Sequence, residues 1–191
     1  MHELRMLNLH NDNYEIQLKV VLLGDPSCGK TCFTTRYTQD DFTRQYYPTP
    51  GPDFHLKLLT IQNRGVKLIL WDIGGKASES SPALMRTYVS SANIVIFMYD
   101  ITSSESFHSV ATWVNTFHLN RKSSTPTYVA LVANKCDMEH QRVVTLERHG
   151  KLAQSLQLHG FPVSARTGDN VSVPDLLISF HFSMLSDETF Y

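Results

Sequence analysis

At 191 residues, with 42% hydrophobic and 18% charged side chains, the chain has the size and composition of one ordinary globular domain, not of a disordered or collagen-like protein. The 17 basic and 18 acidic residues leave a formal net charge of −1, so charge alone points to neither nucleic acid nor an anionic membrane as a partner. The three cysteines, Cys28, Cys32 and Cys136, form no even disulfide framework and no paired metal spacing, and a reduced, cytoplasmic setting is expected.

Residues 1–16 read as an N-terminal extension. Met1 to Asn13 mix polar and apolar residues without the apolar core of a signal peptide, and no later stretch approaches the roughly 18 apolar residues of a membrane span. Gln17 to Leu23 is a short apolar run that closes on Gly24, and a helical segment starts at Lys30, giving strand, glycine turn, helix. Phe54 to Ile61 and Val66 to Trp71 read as strands joined by Gln62-Asn63-Arg64-Gly65, whose Asn and Gly tolerate the positive φ of a hairpin turn. These two should pair antiparallel. After a helix over Leu84 to Ala92, Ile94 to Tyr99 and Tyr128 to Ala133 are apolar in the manner of strands buried on both faces. Between them Ser103 to Asn120 is helical, with Thr102 and Glu105 at capping-box spacing. Leu146 to His159 gives a further helix and Phe161 to Val163 a last strand. Val173 to Leu185 gives a last helix, with Leu176, Leu177, Phe180 and Met184 assigned to one face. The order βαββαβαβαβα predicts a three-layer α/β fold whose six-stranded sheet is mostly parallel, with one antiparallel edge strand and about five helices. Residues 17–185 would form the domain and 186–191 a short tail.

Gly24-Asp25-Pro26-Ser27-Cys28-Gly29-Lys30-Thr31 matches G-x-x-x-x-G-K-[ST] and lies between an apolar strand and a helix, where its mechanism needs it. In such a loop the backbone N–H groups, here from Asp25 and Ser27 through Cys28, Gly29, Lys30 and Thr31 to Cys32, serve phosphate at a helix N-terminus. The Lys30 ammonium reaches the β/γ oxygens and the Thr31 hydroxyl a Mg²⁺ ion. The loop alone chooses neither between adenine and guanine nor among kinase, ATPase and GTPase.

Asn134-Lys135-Cys136-Asp137, following the strand Tyr128 to Ala133, makes that choice. A carboxylate at Asp137 accepts from both the ring N–H and the exocyclic amine of guanine, and adenine presents no such donor pair. Lys135 would pack its stem against the base, and Asn134 would tie this segment to the phosphate loop. A small phosphate-loop kinase is contradicted by this motif and lacks a second-substrate lid.

Over about Gln17 to Leu185 these motifs resemble the Ras superfamily of small GTPases with the phosphate-loop NTPase fold. Trp71-Asp72-Ile73-Gly74-Gly75, Tyr99-Asp100-Ile101-Thr102 and Asp53-Phe54 resemble its Rab branch. Ile73-Gly74-Gly75, Met138-Glu139-His140 and Arg166-Thr167-Gly168-Asp169 resemble the twenty-eighth Rab subfamily. The resemblance implies that Ser164-Ala165-Arg166 offers a backbone N–H to the guanine carbonyl and that Asp72 holds Mg²⁺ through water. It implies that Thr49, 18 positions beyond Thr31, senses Mg²⁺ and γ-phosphate, the latter also held by the Gly75 amide. Phe42 would either cover the guanine ring or plug the core. Phe54, Trp71 and Tyr88 would either form the aromatic triad that Rabs show to effectors or be half-buried core aromatics. The implied ligands are GTP/GDP and Mg²⁺. The implied partners are effector, GEF and GAP proteins, with no nucleic acid, for a monomer acting in vesicle or cilium-linked trafficking.

Three departures from the family pattern bear on output. Lys76 stands after Gly75 where hydrolysing members carry Gln; a lysine ammonium has three donors and no acceptor, so it cannot orient an attacking water as Gln does. Proline occupies the phosphate loop at Pro26 and surrounds Thr49 at Pro48, Pro50 and Pro52, fixing φ and removing N–H donors. No cysteine follows Cys136, so no prenyl anchor is expected on this chain, and recruitment to membranes or the cilium base would run through partners. Two functions stay open: a switch cycling between GTP and GDP with slow hydrolysis, and a non-hydrolysing GTP-binding module.

Overall fold

The computed structural model of the chain describes residues 14, 16–43, 47–49, 51–76, 82–121 and 126–179. Strands β1 (Ile16–Leu23), β2 (Asp53–Ile61), β3 (Arg64–Asp72), β4 (Ile94–Asp100), β5 (Tyr128–Asn134) and β6 (His159–Pro162) form one sheet in the order β2-β3-β1-β4-β5-β6. β2 runs antiparallel to β3, and the pairs β1–β3, β1–β4, β4–β5 and β5–β6 are parallel, the α/β sheet that the element order predicts. Helices α1 (Lys30–Gln39), α2 (Pro82–Val89), α3 (Ser104–Asn120) and α4 (Leu146–Ser155) cover its faces, and α5 is described over 173–179.

The strand chemistry explains the layers. All seven residues of β4 are buried, since β4 lies inside the sheet with helices over both faces. Alternate residues of β1 feed two cores: Leu18, Val20 and Leu22 join Phe33 and Tyr37 of α1 with Leu177 and Ile178 of α5, whereas Val21 and Leu23 join Met85 of α2 and the α3 face. That face, Phe107, Val110, Trp113, Val114 and Phe117, recurs at helical spacing. The connection leaving the carboxyl end of β1 runs through α1 to β2 on one side of the sheet, whereas that leaving the adjacent β3 runs through α2 to β4 on the other. Such a switch point leaves a crevice there, beside the ends of β4 and β5.

Several local expectations are corrected. The hairpin turn is two residues long: Gln62 and Asn63 take the positive φ, while Gly65 pairs within β3 against Thr60. The α3 cap is Ser103, whose Oγ accepts from the Ser106 N–H at 3.2 Å. Thr102 cannot serve because its N–H and hydroxyl both donate to Asp100 Oδ1 at 2.8 Å, which starts the helix one residue later. Helix α2 begins at Pro82 and ends at Val89, before Ser91 with φ 54°. Helix α4 stops at Ser155, ahead of Gln157 with φ 55°, which frees His159 to open β6 opposite Ala130. On α5, Val173 and Leu177 are buried but Leu176 is 48% exposed, since successive helical residues point about 100° apart. Phe180 and Met184 lie outside the described residues.

Candidate nucleotide-binding site

The phosphate loop turns at Gly29 with φ 94°, a conformation that glycine adopts without strain. A Cβ there would also lie 2.3 Å from Asn134 Nδ2, so the missing side chain is what admits Asn134. That amide is 1% exposed; its Nδ2 donates to Cys28 O at 2.9 Å and its Oδ1 accepts from the Ala165 N–H at 3.1 Å. One side chain at the end of β5 thereby joins the phosphate loop to the segment after β6.

Lys30 is 6% exposed, and its ammonium donates to Gly24 O at 2.7 Å and Asp25 O at 2.9 Å. With two of three donors committed to these carbonyls, the third faces Cys28 Sγ at 3.9 Å, a weak acceptor that an anion in the loop would replace. The Thr31 hydroxyl donates to Asp72 Oδ2 at 2.5 Å and lies 3.1 Å from Thr49 Oγ1. Asp72 Oδ1 is buried with no hydrogen-bond partner among the described residues, and burial pushes the Asp72 carboxyl above its ordinary range despite the Thr31 bond. Two hydroxyls and a carboxylate with an oxygen to spare make a hard-oxygen donor set, which suits Mg²⁺.

The segment after β3 closes over this end. A Cβ on Gly74 would lie 2.5 Å from Thr49 O, and one on Gly75 would lie 2.1 Å from Pro26 N. The glycine pair is what lets residues 74 and 75 approach both loops so closely. Lys76 is exposed and lies off the cavity wall.

At the other end, Lys135 takes a left-handed φ of 67° and its ammonium pairs with Asp100 Oδ2 at 2.6 Å, lashing the end of β5 to the end of β4. Asp137 Oδ1 accepts from the Ser164 hydroxyl at 2.6 Å, and its Oδ2 lies 3.5 Å from Arg166 Nη1. A carboxylate has about four lone-pair sites, so Asp137 keeps capacity for two further donors. The cavity between these ends measures about 740 Å³, within the usual range for small-molecule sites.

Of the residues singled out in the sequence, Ser27, Gly29, Lys30, Thr31, Cys32, Phe42, Thr49, Gly75, Asn134, Lys135, Asp137, Ala165 and Arg166 line this cavity. Asp25 and Cys28 turn their side chains away. The Asp25 carboxylate accepts from Trp113 Nε1 of α3 at 2.8 Å, and the Cys28 thiol is buried, which pushes it up. Phe54 meets Trp71 edge to face at 4.6 Å and is 48% exposed, whereas Trp71 and Tyr88 pack against the core on the α2–α3 side. Lys19 Nζ lies 3.7 Å over the Trp71 ring and donates to Thr87 O and Ser90 O at the end of α2. Sequence reading missed Lys19, Trp113, Arg36 and the 3-10 helix Cys136–Gln141 that carries Asp137. None of the three side chains belongs to a motif with fixed spacing, and the motif Asn134 to Asp137 does not by itself announce the 3-10 turn that follows it.

A strand, glycine loop and helix on a mostly parallel sheet, opening on a cavity at the carboxyl ends of the strands, define a phosphate-loop nucleotide-binding domain. The Ras family model matches residues 19–177. Ras-related protein Rab-3 of Caenorhabditis elegans is 38% identical over 161 residues, which cover 84% of this chain and 72% of that protein. Ras-related protein Rab-28 of Caenorhabditis elegans is 37% identical over 156 residues, covering 81% and 62%, and Ras-related protein Rab-3A of Homo sapiens is 37% identical over 163, covering 85% and 71%. The chain belongs to the Ras family, on its Rab branch. It spans about 62% of the length of the Rab-28 that it matches.

Proposed function

We propose that the chain is a guanine-nucleotide switch of Rab type, binding GTP and GDP with Mg²⁺ and recruiting effectors in intracellular trafficking. The observation that carries this reading is one cavity of about 740 Å³ with the Lys30 ammonium at one end and the Asp137 carboxylate at the other. The Asn134 amide fixes the two ends relative to each other. Phosphate would take the Lys30 donor that faces the Cys28 sulfur, together with the loop amides; guanine would take the free lone pairs of Asp137. Thr31 and Thr49 hydroxyls with the Asp72 carboxylate would hold Mg²⁺, whose charge would offset that of the phosphates.

Hydrolysis of GTP would be slow. Lys76 follows the closely packed Gly75 and brings only donors to the position of a water-orienting group. Pro26 lies against Gly75 and contributes no N–H of its own. A specific observation also favours the second reading, a GTP-binding module that does not cycle: Lys76, at the position of the water-orienting group, is exposed and does not line the cavity. Partners would bind the segments around Thr49 and Gly75 together with the exposed Phe54 edge. A cytoplasmic protein recruited to membranes or the cilium base by those partners fits this reading.

Calorimetry of GDP and GTP binding, with and without Mg²⁺, tests the proposal, followed by single-turnover hydrolysis by wild type and Lys76→Gln. Tight, Mg²⁺-dependent binding and faster turnover in the glutamine variant are expected. Failure to bind either nucleotide overturns the switch, and equal, measurable turnover by the two proteins overturns the role given to Lys76. Turnover below detection in both, with GTP retained on purification, selects the non-cycling module.

A further inference from the structure

Arg36 sits on the last turn of α1 and belongs to none of the motifs above. Its guanidinium Nε donates to Ala165 O at 3.1 Å and its Nη2 to Arg166 O at 3.0 Å, while Nη1 donates to Asp40 O and Asp40 Oδ1, each at 2.9 Å. The side chain is 18% exposed. Asp40 holds the fork in place from the C-terminus of the same helix, in the left-handed conformation with φ 54° and with its N–H on Arg36 O at 3.0 Å. Helix α1 therefore carries the phosphate ligands Lys30 and Thr31 at its first turn and grips the segment after β6 at its last.

The gripped carbonyls flank a working part. Ser164, next in the chain to Ala165, donates its hydroxyl to Asp137, and the Ala165 N–H is held on Asn134. Asn134 fixes the inner side of this segment and Arg36 its outer side. We propose that Arg36 is a positioning residue for base recognition. By anchoring the Ala165 and Arg166 carbonyls to α1 it keeps the Ser164–Asp137 pair in register with the phosphate loop. This inference rests on the guanine-nucleotide reading of the cavity. The planar fork is essential to it: four acceptors on two chain segments are reached from one rigid group, which the single ammonium of lysine cannot do.

The test compares the dissociation of fluorescent GDP and fluorescent IDP from the full chain in Mg²⁺ buffer, for wild type, Arg36→Ala, Arg36→Lys and Asp40→Asn. IDP lacks the exocyclic amine and so forgoes one of the contacts that Arg36 would position. In Arg36→Ala, GDP release should quicken about tenfold and IDP release only about threefold, so that the preference for GDP shrinks about threefold. Arg36→Lys keeps the charge at the helix end and should not restore the preference. Asp40→Asn tolerates the left-handed φ, loses the ion pair, and should shift the preference the same way by less. Should the alanine variant fail to fold, the lysine and asparagine variants carry the comparison.

Equal acceleration of GDP and IDP, or full rescue by lysine, would reduce Arg36 to helix stability and overturn the inference alone. Wild-type protein that holds neither nucleotide overturns the guanine reading and this inference with it.

Discussion

Replacing Asn134 by alanine removes two hydrogen bonds at once and leaves two partners stranded. The Cys28 carbonyl loses the Nδ2 donor at 2.9 Å, and the Ala165 N–H loses the Oδ1 acceptor at 3.1 Å, around a side chain that is 1% exposed. A buried polar group left without its partner costs about 1–3 kcal/mol, so the pair costs about 2–6 kcal/mol. The adjoining cavity lets water reach part of this site, which favours the lower half of that range. Were about 3 kcal/mol carried entirely into nucleotide affinity, release would quicken about a hundredfold, at 1.4 kcal/mol per decade. Loss shared with global stability brings the expected change to about tenfold or more. Asn134→Asp separates the two bonds. Its carboxylate still accepts from Ala165, but an oxygen then faces the Cys28 carbonyl where a donor stood, and release should be no slower than in the alanine variant. Dissociation of fluorescent GDP in Mg²⁺ buffer and the thermal midpoint with and without GDP measure both parts. Alanine and aspartate variants that release GDP within threefold of wild type would refute the reasoning.

Three further outcomes follow from groups outside the cavity. Burial pushes the Lys19 ammonium from 10.5 down to about 8 while it lies over Trp71. The unfolded chain then binds more protons between those values, and stability should rise with pH across that window relative to Lys19→Gln. In a Trp113→Phe background Trp71 fluorescence should titrate near pH 8, and a step that survives Lys19→Gln would sink this reading. His149 is buried with Nδ1 3.1 Å from the Tyr99 hydroxyl, and burial, then Arg142, lowers its pKa from 6.5. Stability should therefore fall as pH drops below 6.5; His149→Phe, about 1 kcal/mol weaker at pH 7.5 in urea denaturation, should close that gap toward acid. A gap that stays constant with pH would show that His149 does not titrate between the two states. Ser103→Ala should cost about 1 kcal/mol through the lost α3 cap, while Glu105→Ala should cost little; the reverse order in thermal denaturation would restore the capping box at Thr102.

Legibility followed the range of the interaction. β4 and β5 could be read as central strands because their apolar runs have no solvent face to obey, and β2 with β3 as an antiparallel pair because a short polar turn separates them. Where a side chain chose between two nearby partners, reading failed: Asp100 draws Thr102 away from the helix it was expected to cap. The phosphate loop and the segment Asn134 to Asp137 were legible because binding one ligand demands fixed local spacing. Arg36 and Trp113 were not, since their partners lie 129, 130 and 88 positions away, and nothing near either residue in the chain marks it as part of a site.

The side-chain bonds around the cavity divide the site into two mechanically different halves. The base-side half and the root of the phosphate loop are cross-linked by side chains: Asn134 to Cys28 and Ala165, Arg36 to Ala165 and Arg166, Lys135 to Asp100, and Trp113 to Asp25. The half that would face the γ-phosphate is joined, among the described residues, by the Thr31 hydroxyl on Asp72 and Thr49 and by the close approach of Gly74 and Gly75 to Thr49 and Pro26. A ligand that differs only by its last phosphate cannot alter the first half, whose bonds involve no phosphate. It can compete directly for the second, where the Thr31 and Thr49 hydroxyls and the Gly75 backbone converge. Under the proposed function the difference between GTP and GDP is therefore written into residues 49 and 73–76, with Phe54 exposed on the strand just beyond, while recognition of the base stays constant. Pro48 and Pro52 narrow the conformations open to the first of those segments, and Lys76 ends the second with a charge free to meet solvent or partner.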